Sequence, residues 1–490
     1  GFLEGRSMDK DLLSIQEVRD LLKEAKKAQS IYSTFTQEQI DAIVKEMSIE
    51  ATKHEVELAK MANQETGFGK WEDKVLKNRL AAQGVYDYIK DMKTTGIINE
   101  DKNAKIIEIG VPMGIIAALI PSTNPTSTVI YKVMISLKAG NAVVISPHPN
   151  AKECIIRTAE ILIEAAERMG APKGLIGVIK TPTLQATNEL MKHKDTSLIL
   201  ATGGEAMVKA AYSSGTPAIG VGPGNGPAFI ERSADVKLAV KRILDSKTFD
   251  NGVICASEQS IVTESIIRND VIAELKKQGA YFLNREESDK VGSILMRANG
   301  TMSPKIVGKT AVYIAEMAGV SVPSDTRVLI SEEREVSHAN PYSREKLCPV
   351  LGFYTEENWE TACERCIEIL QNEGVGHTMT IHSENDNVIR EFALKKPVSR
   401  LLVNTAAALG GVGATTNLAP AFTLGCGAVG GSSTSDNISP LNLMNIRRAA
   451  YGTKELCDLR NSGGSSCECQ SGAEAELEQI VKKVLNELLS

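Results

Sequence analysis

The sequence predicts an α/β protein: a doubly wound parallel sheet, reached through an all-helical segment and followed by a second α/β region. Three observations predict it. From residue 115 onward, short near-continuous apolar runs alternate with helical patterns, as strands covered on both faces of a parallel sheet require. Ahead of residue 95 only helical periodicity is present. From about Asp235 a second alternating series begins, long enough for a sheet of its own.

In order, Ser14-Ile15-Gln16-Glu17 has the spacing of a capping box. It would open a helix with Ile15, Val18, Leu21, Leu22 and Ala25 on one face. Thr36-Gln37-Glu38-Gln39 opens another, with helical patterning to about Met61, and residues 70–91 form a third amphipathic stretch. Residues 115–120, 142–145, 175–179, 197–200 and 218–221 read as strands. They alternate with helices over 126–137, 150–169, 184–192 and 205–212, the first two stopped by Gly140 and Gly170. Such a sheet is the doubly wound, nucleotide-binding type. In the second region, helices are expected near 266–277 and 358–370, and strands at 328–330, 350–354, 378–381 and 400–403.

The chain has 490 residues, enough for two or three domains. Its 42% hydrophobic and 24% charged content are those of a globular protein, and a net charge of −6 argues against nucleic-acid binding. Nine cysteines are too sparse for a disulfide framework, which fits a reducing cytosol. Cys363 and Cys366 share a C-x-x-C spacing inside a helical pattern, without the second pair a zinc site would need; Cys467 and Cys469 fall in a Gly/Ser-rich stretch. No apolar run reaches the roughly 20 residues of a membrane span, and no secretory signal is visible. Residues 1–7, ahead of Met8, read as an expression-tag remnant.

Chemistry concentrates around Phe249-Asp250-Asn251-Gly252-Val253-Ile254-Cys255-Ala256-Ser257. Cys255 sits among small residues that leave room for a substrate, although a cysteine alone is as readily a small buried hydrophobe. Gly425-Cys426-Gly427-Ala428-Val429-Gly430 matches G-x-G-x-x-G, but loop residues rather than a helix follow it, so it reads as a flexible turn. Thr202-Gly203-Gly204, between a strand and a helix, is a better anion site, where free N–H groups and the helix dipole would face a phosphate; an ordinary βα turn is the competing reading.

Taken in order, these motifs resemble the aldehyde dehydrogenase superfamily over nearly all of residues 8–458. Pro121-Ser122-Thr123-Asn124-Pro125 is similar to the loop carrying the family's oxyanion-hole Asn. Ser146-Pro147-His148-Pro149 stands where the family binds adenosine, with Ser146 in place of the usual Lys. Thr202, Gly203 and Gly204 match the turn near the dinucleotide phosphates, and 251–255 the nucleophile segment. Glu345-Lys346-Leu347-Cys348-Pro349-Val350 resembles the motif whose Glu holds the nicotinamide ribose.

One departure is informative. Hydrolytic members carry Glu-Leu-Gly-Gly-Lys where this chain has Val221-Gly222-Pro223-Gly224-Asn225, and Val cannot activate water. Together with Cys255-Ala256-Ser257-Glu258-Gln259 and Gly376-His377-Thr378, this resembles the CoA-acylating acetaldehyde/propionaldehyde dehydrogenase branch.

The resemblance implies a Rossmann-type cofactor domain over 8–227 and a second α/β catalytic domain over 228–445. It also implies oligomerisation arms at 95–110 and 446–458 and a homodimer or tetramer. It implies Cys255 and Asn124 as catalytic residues, and His377 as a candidate acid/base. Ser146, His148, Pro149, Thr202, Gly203, Gly204, Gly222 and Glu345 would be cofactor contacts, with NAD and coenzyme A as cofactor and cosubstrate and no metal. The expected reaction converts a short-chain aldehyde such as propionaldehyde or acetaldehyde to acyl-CoA; an NAD(P)-dependent enzyme releasing free acid is the alternative.

Residues 459–473 have linker composition, and 474–490 place Leu477, Ile480, Val481, Val484, Leu485, Leu488 and Leu489 at helical spacing. The polar face is not basic enough for a membrane-surface helix. This tail resembles the encapsulation peptides that dock enzymes on shell proteins of bacterial microcompartments, implying a cytoplasmic protein held inside one.

Overall fold

The computed structural model describes residues 9–461 and 472–490. The expected Cys467, Cys469, the tag remnant and most of the linker lie outside them. By contacts the described chain falls into two compact units: Gly110–Asn445 with the chain up to Gly96, and Ile97–Ile109 with the chain from Ile446.

In the larger unit the first helix is Lys10–Tyr32, capped by the Asp9 carboxylate rather than by Ser14. Ser14 lies a turn inside it and is buried, its hydroxyl donating to Asp11 O (2.8 Å) and sharing a bond with Thr183 (2.6 Å). The apolar stripe expected from the sequence is right, but the start moves upstream because Asp9 also caps. The second capping box forms as expected: Thr36 and Gln39 satisfy each other's N–H groups at the start of Gln37–Lys53. A break at His54 separates it from Glu55–Thr66. The third stretch is Trp71–Arg79, one wide turn at Leu80–Gly84, and Val85–Ile89.

A five-stranded, all-parallel sheet follows, in the spatial order Ile176–Val178, Ala142–Pro147, Ile115–Ile120, Leu198–Ala201, Ala218–Gly220. Counted along the chain this is 3-2-1-4-5, the doubly wound order, whose direction reverses between Ile115–Ile120 and Leu198–Ala201. The helix Pro125–Lys138 is buried along its whole length. Its Lys132 ammonium donates to Leu119 O (2.8 Å) and Leu200 O (3.0 Å), clamping those two strands.

At Gly226–Ile230 the chain enters a seven-stranded parallel sheet. Its order is Ala280–Phe282, Val328–Glu332, Val350–Glu356, Glu258–Glu264, Gly226–Ile230, Gly376–His382, Val398–Val403. The helix Trp359–Asn372 packs beneath it, with Cys363 and Cys366 in the core and no cluster of metal-binding side chains among the described residues. Residues 431–438 return to the first sheet: the Ser432 hydroxyl donates to Gly220 O (2.7 Å), and Tyr131 donates to Ile438 O.

In the smaller unit, Gly96–Asp101, Ile106–Pro112 and Met444–Ala450 form a three-stranded sheet, with Arg448 paired to Glu108 at 3.2 Å. The helix Leu456–Asn461 carries the chain into the segment expected as linker, and Gly472–Leu488 is helical.

Candidate active site

The reversal of strand order sets where the site lies. Asn124 follows the strand Ile115–Ile120, and Thr202-Gly203-Gly204 follow Leu198–Ala201, so both leave the C-terminal edge of the first sheet at its switch point. From the second sheet come residues at the opposite, N-terminal ends of strands. Residues 221–225 precede Gly226–Ile230, Cys255 precedes Glu258–Glu264, Glu345 precedes Val350–Glu356, and His377 begins Gly376–His382.

Cys255 is presented by an unusual turn. After the helix Val236–Thr248, three successive residues take positive φ: Asp250 (49°), Asn251 (52°) and Gly252 (82°). Gly252 is required there, because a Cβ would meet the Cys348 backbone at 3.1 Å. The other two pay a strain of roughly 1–3 kcal/mol each and persist only because their surroundings hold them. The Asp250 carboxylate is fully buried and accepts from Lys70 N–H (2.7 Å), Lys74 (3.0 Å) and Lys77 (2.5 Å), while its own N–H donates to Asp73 (2.8 Å). The Asn251 amide donates to Gly308 O at 2.8 Å. Ile254 and Ala256 are buried on either side, and Cys255 between them is partly exposed.

Asn124 occupies the cap position of the helix Pro125–Lys138, but its side chain caps nothing; its Oδ1 accepts from Lys77 instead. Lys77 also donates to Val253 O at 2.8 Å, so one ammonium joins Asn124 to the turn bearing Cys255.

The Gly222–Gly224 segment lies against Cys255. A Cβ at Gly224 would fall 1.8 Å from Cys255 O, and one at Gly222 would lie 3.8 Å from Cys426 Sγ. Glu345 accepts from Gly224 N–H at 2.7 Å. Burial pushes the Glu345 carboxyl up to about 8, with the Glu373 charge adding to the shift, so it is neutral at pH 7. Burial, then Glu345 and Cys426, push the Cys255 thiol up to about 12; the Arg400 guanidinium and the residue's own N–H oppose them. Val221 is buried.

His377 is fully buried, with Nδ1 2.8 Å from Thr378 Oγ1 and Nε2 without a partner. Burial and Arg400 pull it down to about 3, so the imidazole is neutral. Arg400 donates to Thr378 (3.1 Å), Gly425 O (2.5 Å), Ser435 O (3.2 Å) and Asn437 (3.2 Å).

Apart from Gly222 and Glu345, placed beside Cys255, the expected cofactor residues end or follow strands of the first sheet. Ser146 is buried and bonded to Thr187 (3.0 Å), His148 is half-buried with Nδ1 accepting from Asn150 N–H (3.1 Å), and Pro149 is exposed. Gly203 and Gly204 are exposed, no side chain caps the helix Glu205–Ser213, and no atom lies within 4 Å of a Cβ built on Gly204. That open helix start, with Thr202 bonded to Thr423 beside it (3.3 Å), fits a dinucleotide phosphate. In the G-x-G-x-x-G turn Gly425 and Gly427 donate to Asp436 O (2.8 Å) and Thr434 O (2.9 Å), and its last three residues, Ala428–Gly430, form one short helical turn.

Sequence reasoning missed Lys74, Lys77 and Arg400, and the buried pairing of Asp250 with the two lysines. That pairing spans more than 170 residues, and the lysines are among the polar residues of the amphipathic stretch 70–91.

Residues 11–299 match the model of the aldehyde dehydrogenase family. The bifunctional aldehyde-alcohol dehydrogenase of Escherichia coli (strain K12) is 45% identical over 448 residues, 90% of this chain and 50% of that protein. The chain therefore spans about half the length of the curated relatives it matches first. An acetylating aldehyde dehydrogenase from Geobacillus thermoglucosidasius is 54% identical with a TM-score of 0.90, covering 91% of this chain and 99% of that one. A propionaldehyde dehydrogenase from the fucose-utilisation bacterial microcompartment of Clostridium phytofermentans is 28% identical with a TM-score of 0.81, covering 89% and 97%. With residues 11–299 matched to the family and the fold shared across nine-tenths of its length, the chain belongs to the aldehyde dehydrogenase family.

Proposed function

We propose that the chain is a CoA-acylating aldehyde dehydrogenase converting a short-chain aldehyde such as acetaldehyde or propionaldehyde, CoA and NAD⁺ to acyl-CoA and NADH. The Cys255 thiol, which burial keeps protonated at rest, gives its proton to water as its sulfur adds to the carbonyl carbon, and the carbonyl π electrons move to oxygen. The Asn124 amide and the Cys255 N–H stabilise that oxyanion; one such donor is worth about 100- to 1000-fold in rate. Collapse of the oxyanion expels the hydride and leaves a thioester on Cys255. NAD supplies the hydride acceptor when bound, with Thr202, Gly203 and Gly204 at its phosphates and Gly222 and Glu345 beside Cys255; Ser146, His148 and Pro149 take the adenosine end. CoA thiolate then adds to the thioester, and Cys255 leaves as thiolate. His377, whose Nε2 has no partner, is the candidate acid/base for the CoA thiol proton, with burial and Arg400, which pull it down to about 3, opposing that role.

The observation that carries acyl transfer over hydrolysis is the lack of an ionised carboxylate to activate water at the thioester. Val221 stands at the hydrolytic position, and Glu345, beside Cys255, is protonated at neutral pH. Without CoA, stopped flow at pH 7 should give an NADH burst of about one per site and then near silence, and Val221→Glu should convert the silence to slow release of acid. Linear CoA-independent turnover by the unaltered chain would favour the acid-releasing alternative.

The tail has a separate role. Leu477, Ile480, Val481, Val484, Leu485, Leu488 and Leu489 on and after the helix Gly472–Leu488 are each at least half exposed, and a 17-residue helix is marginal in water without a partner. It docks on a shell protein and places the enzyme inside a bacterial microcompartment, the setting of the Clostridium phytofermentans neighbour. The three-stranded sheet, with Ile97 and Ile446 exposed on it and Tyr451 exposed just after it, is the arm through which copies pair into a homodimer or tetramer.

A further inference from the structure

Lys77 is 3% exposed and points its ammonium into the space between two loops that meet only in the folded chain. An ammonium has three N–H donors and no acceptor. Three acceptors meet it: Asn124 Oδ1, Asp250 Oδ2 and Val253 O. Because Lys77 can only donate, the oxygen of the Asn124 amide must face it, and the amide nitrogen must face away. An asparagine amide has nearly the same shape in both flips, yet only its nitrogen end can donate to an oxyanion. A cation on Oδ1 also draws electron density through the amide and strengthens Nδ2–H as a donor. At neutral pH the charge is present: burial pulls Lys77 down only to about 8, with Asp250 holding it up.

We propose that Lys77 is the positioning residue of the oxyanion site, selecting the Asn124 orientation that donates and tying that amide to the turn that carries Cys255. This rests on Cys255 and Asn124 acting as proposed above. The competing role, neutralising the buried Asp250, is shared with Lys74, which bonds the same carboxylate oxygen (3.0 Å) and Thr123 O (3.2 Å) but not Asn124. Lys74 is therefore an internal comparison: it removes one charge from the same cluster and leaves the amide untouched.

The test is the rate of the CoA-free NADH burst in full-length protein at saturating acetaldehyde and NAD. Lys77→Met should slow the burst about 100-fold, Lys74→Met several-fold at most, and Asn124→Ala about 100- to 1000-fold. The double variant Lys77→Met/Asn124→Ala should be no slower than Asn124→Ala within about twofold, because a residue acting only through another has nothing left to lose. Multiplying losses in the double variant, or equal losses from the two lysines, would overturn the proposal. If Lys77→Met unfolds because Asp250 is left under-neutralised, the same cycle is run on an Asp250→Asn background, where non-additivity with Asn124→Ala is again expected and additivity again overturns it. An unaltered protein giving no burst would contradict the proposed function and overturn with it this role of Lys77, an outcome distinct from a burst with multiplying losses, which overturns the Lys77 role alone.

Discussion

Glu345 is a carboxyl whose proton does structural and chemical duty at once. Its side chain accepts the Gly224 N–H, its neighbour Glu373 repels its charge, and burial keeps it protonated to about 8. Between the ordinary carboxyl value of 4.5 and about 8, the folded chain holds a proton there that the unfolded chain has released. Raising the pH through that window therefore costs stability. Glu345→Gln keeps a neutral group of the same shape and escapes the cost. The thermal midpoint of Glu345→Gln minus that of the unaltered protein should rise from pH 4.5 to about 8 and level off above. A difference flat in pH would mean that Glu345 is ionised throughout. The residue is also legible in the sequence, through the order of motifs, whereas its protonation is not; that depends on burial and on the Glu373 charge, which only folding supplies, working against the Gly224 N–H bond that favours the ionised form.

Among elements, the Gly222–Gly224 segment and the Cys255 turn touch backbone to backbone, which makes Gly224 the most sensitive small residue of the site. A methyl group in Gly224→Ala would sit 1.8 Å from Cys255 O, so the turn must shift by an ångström or more. A displacement of that size costs about 100-fold in rate, and a larger fall in burst rate than in thermal midpoint is expected; unchanged burst kinetics would show that the turn is not clamped. The alternating strands and helices were legible because burial on both faces leaves apolar runs with no polar interruption. The strand Glu258–Glu264 was not, since the polar residues of EQSIVTE break the apolar run by which the other strands are recognised. It is buried because its polar groups are met inside: Glu258 by Ser246, Gln259 by Lys247 (3.0 Å), Glu264 by the Arg232 N–H (2.8 Å). The helix Trp71–Arg79 misleads in the same way, its lysines drawn inward by a carboxylate far along the chain.

At the scale of the whole molecule, the catalytic body and the tail are separable in the proposed reading. Ending the chain after Asn461 should leave the CoA-dependent rate within about twofold. A fluorescent protein carrying residues 474–490 should enter microcompartment shells, and Leu485→Glu, which puts a charge on the apolar stripe, should leave it diffuse. Diffuse fluorescence of the unaltered fusion where shells form would remove the shell protein as partner. Arg400 has a different reach. Its guanidinium gathers Gly425, Ser435 and Asn437 around the pocket, and Ser432 and Ile438 fasten the same stretch to the first sheet. On the ribosome, then, the sulfur of Cys255 emerges some 180 residues before the last wall of its pocket is made. The nascent chain carries an ordinary, unsheltered thiol for that interval, and the site is complete only once residues 425–438 have been made and folded back.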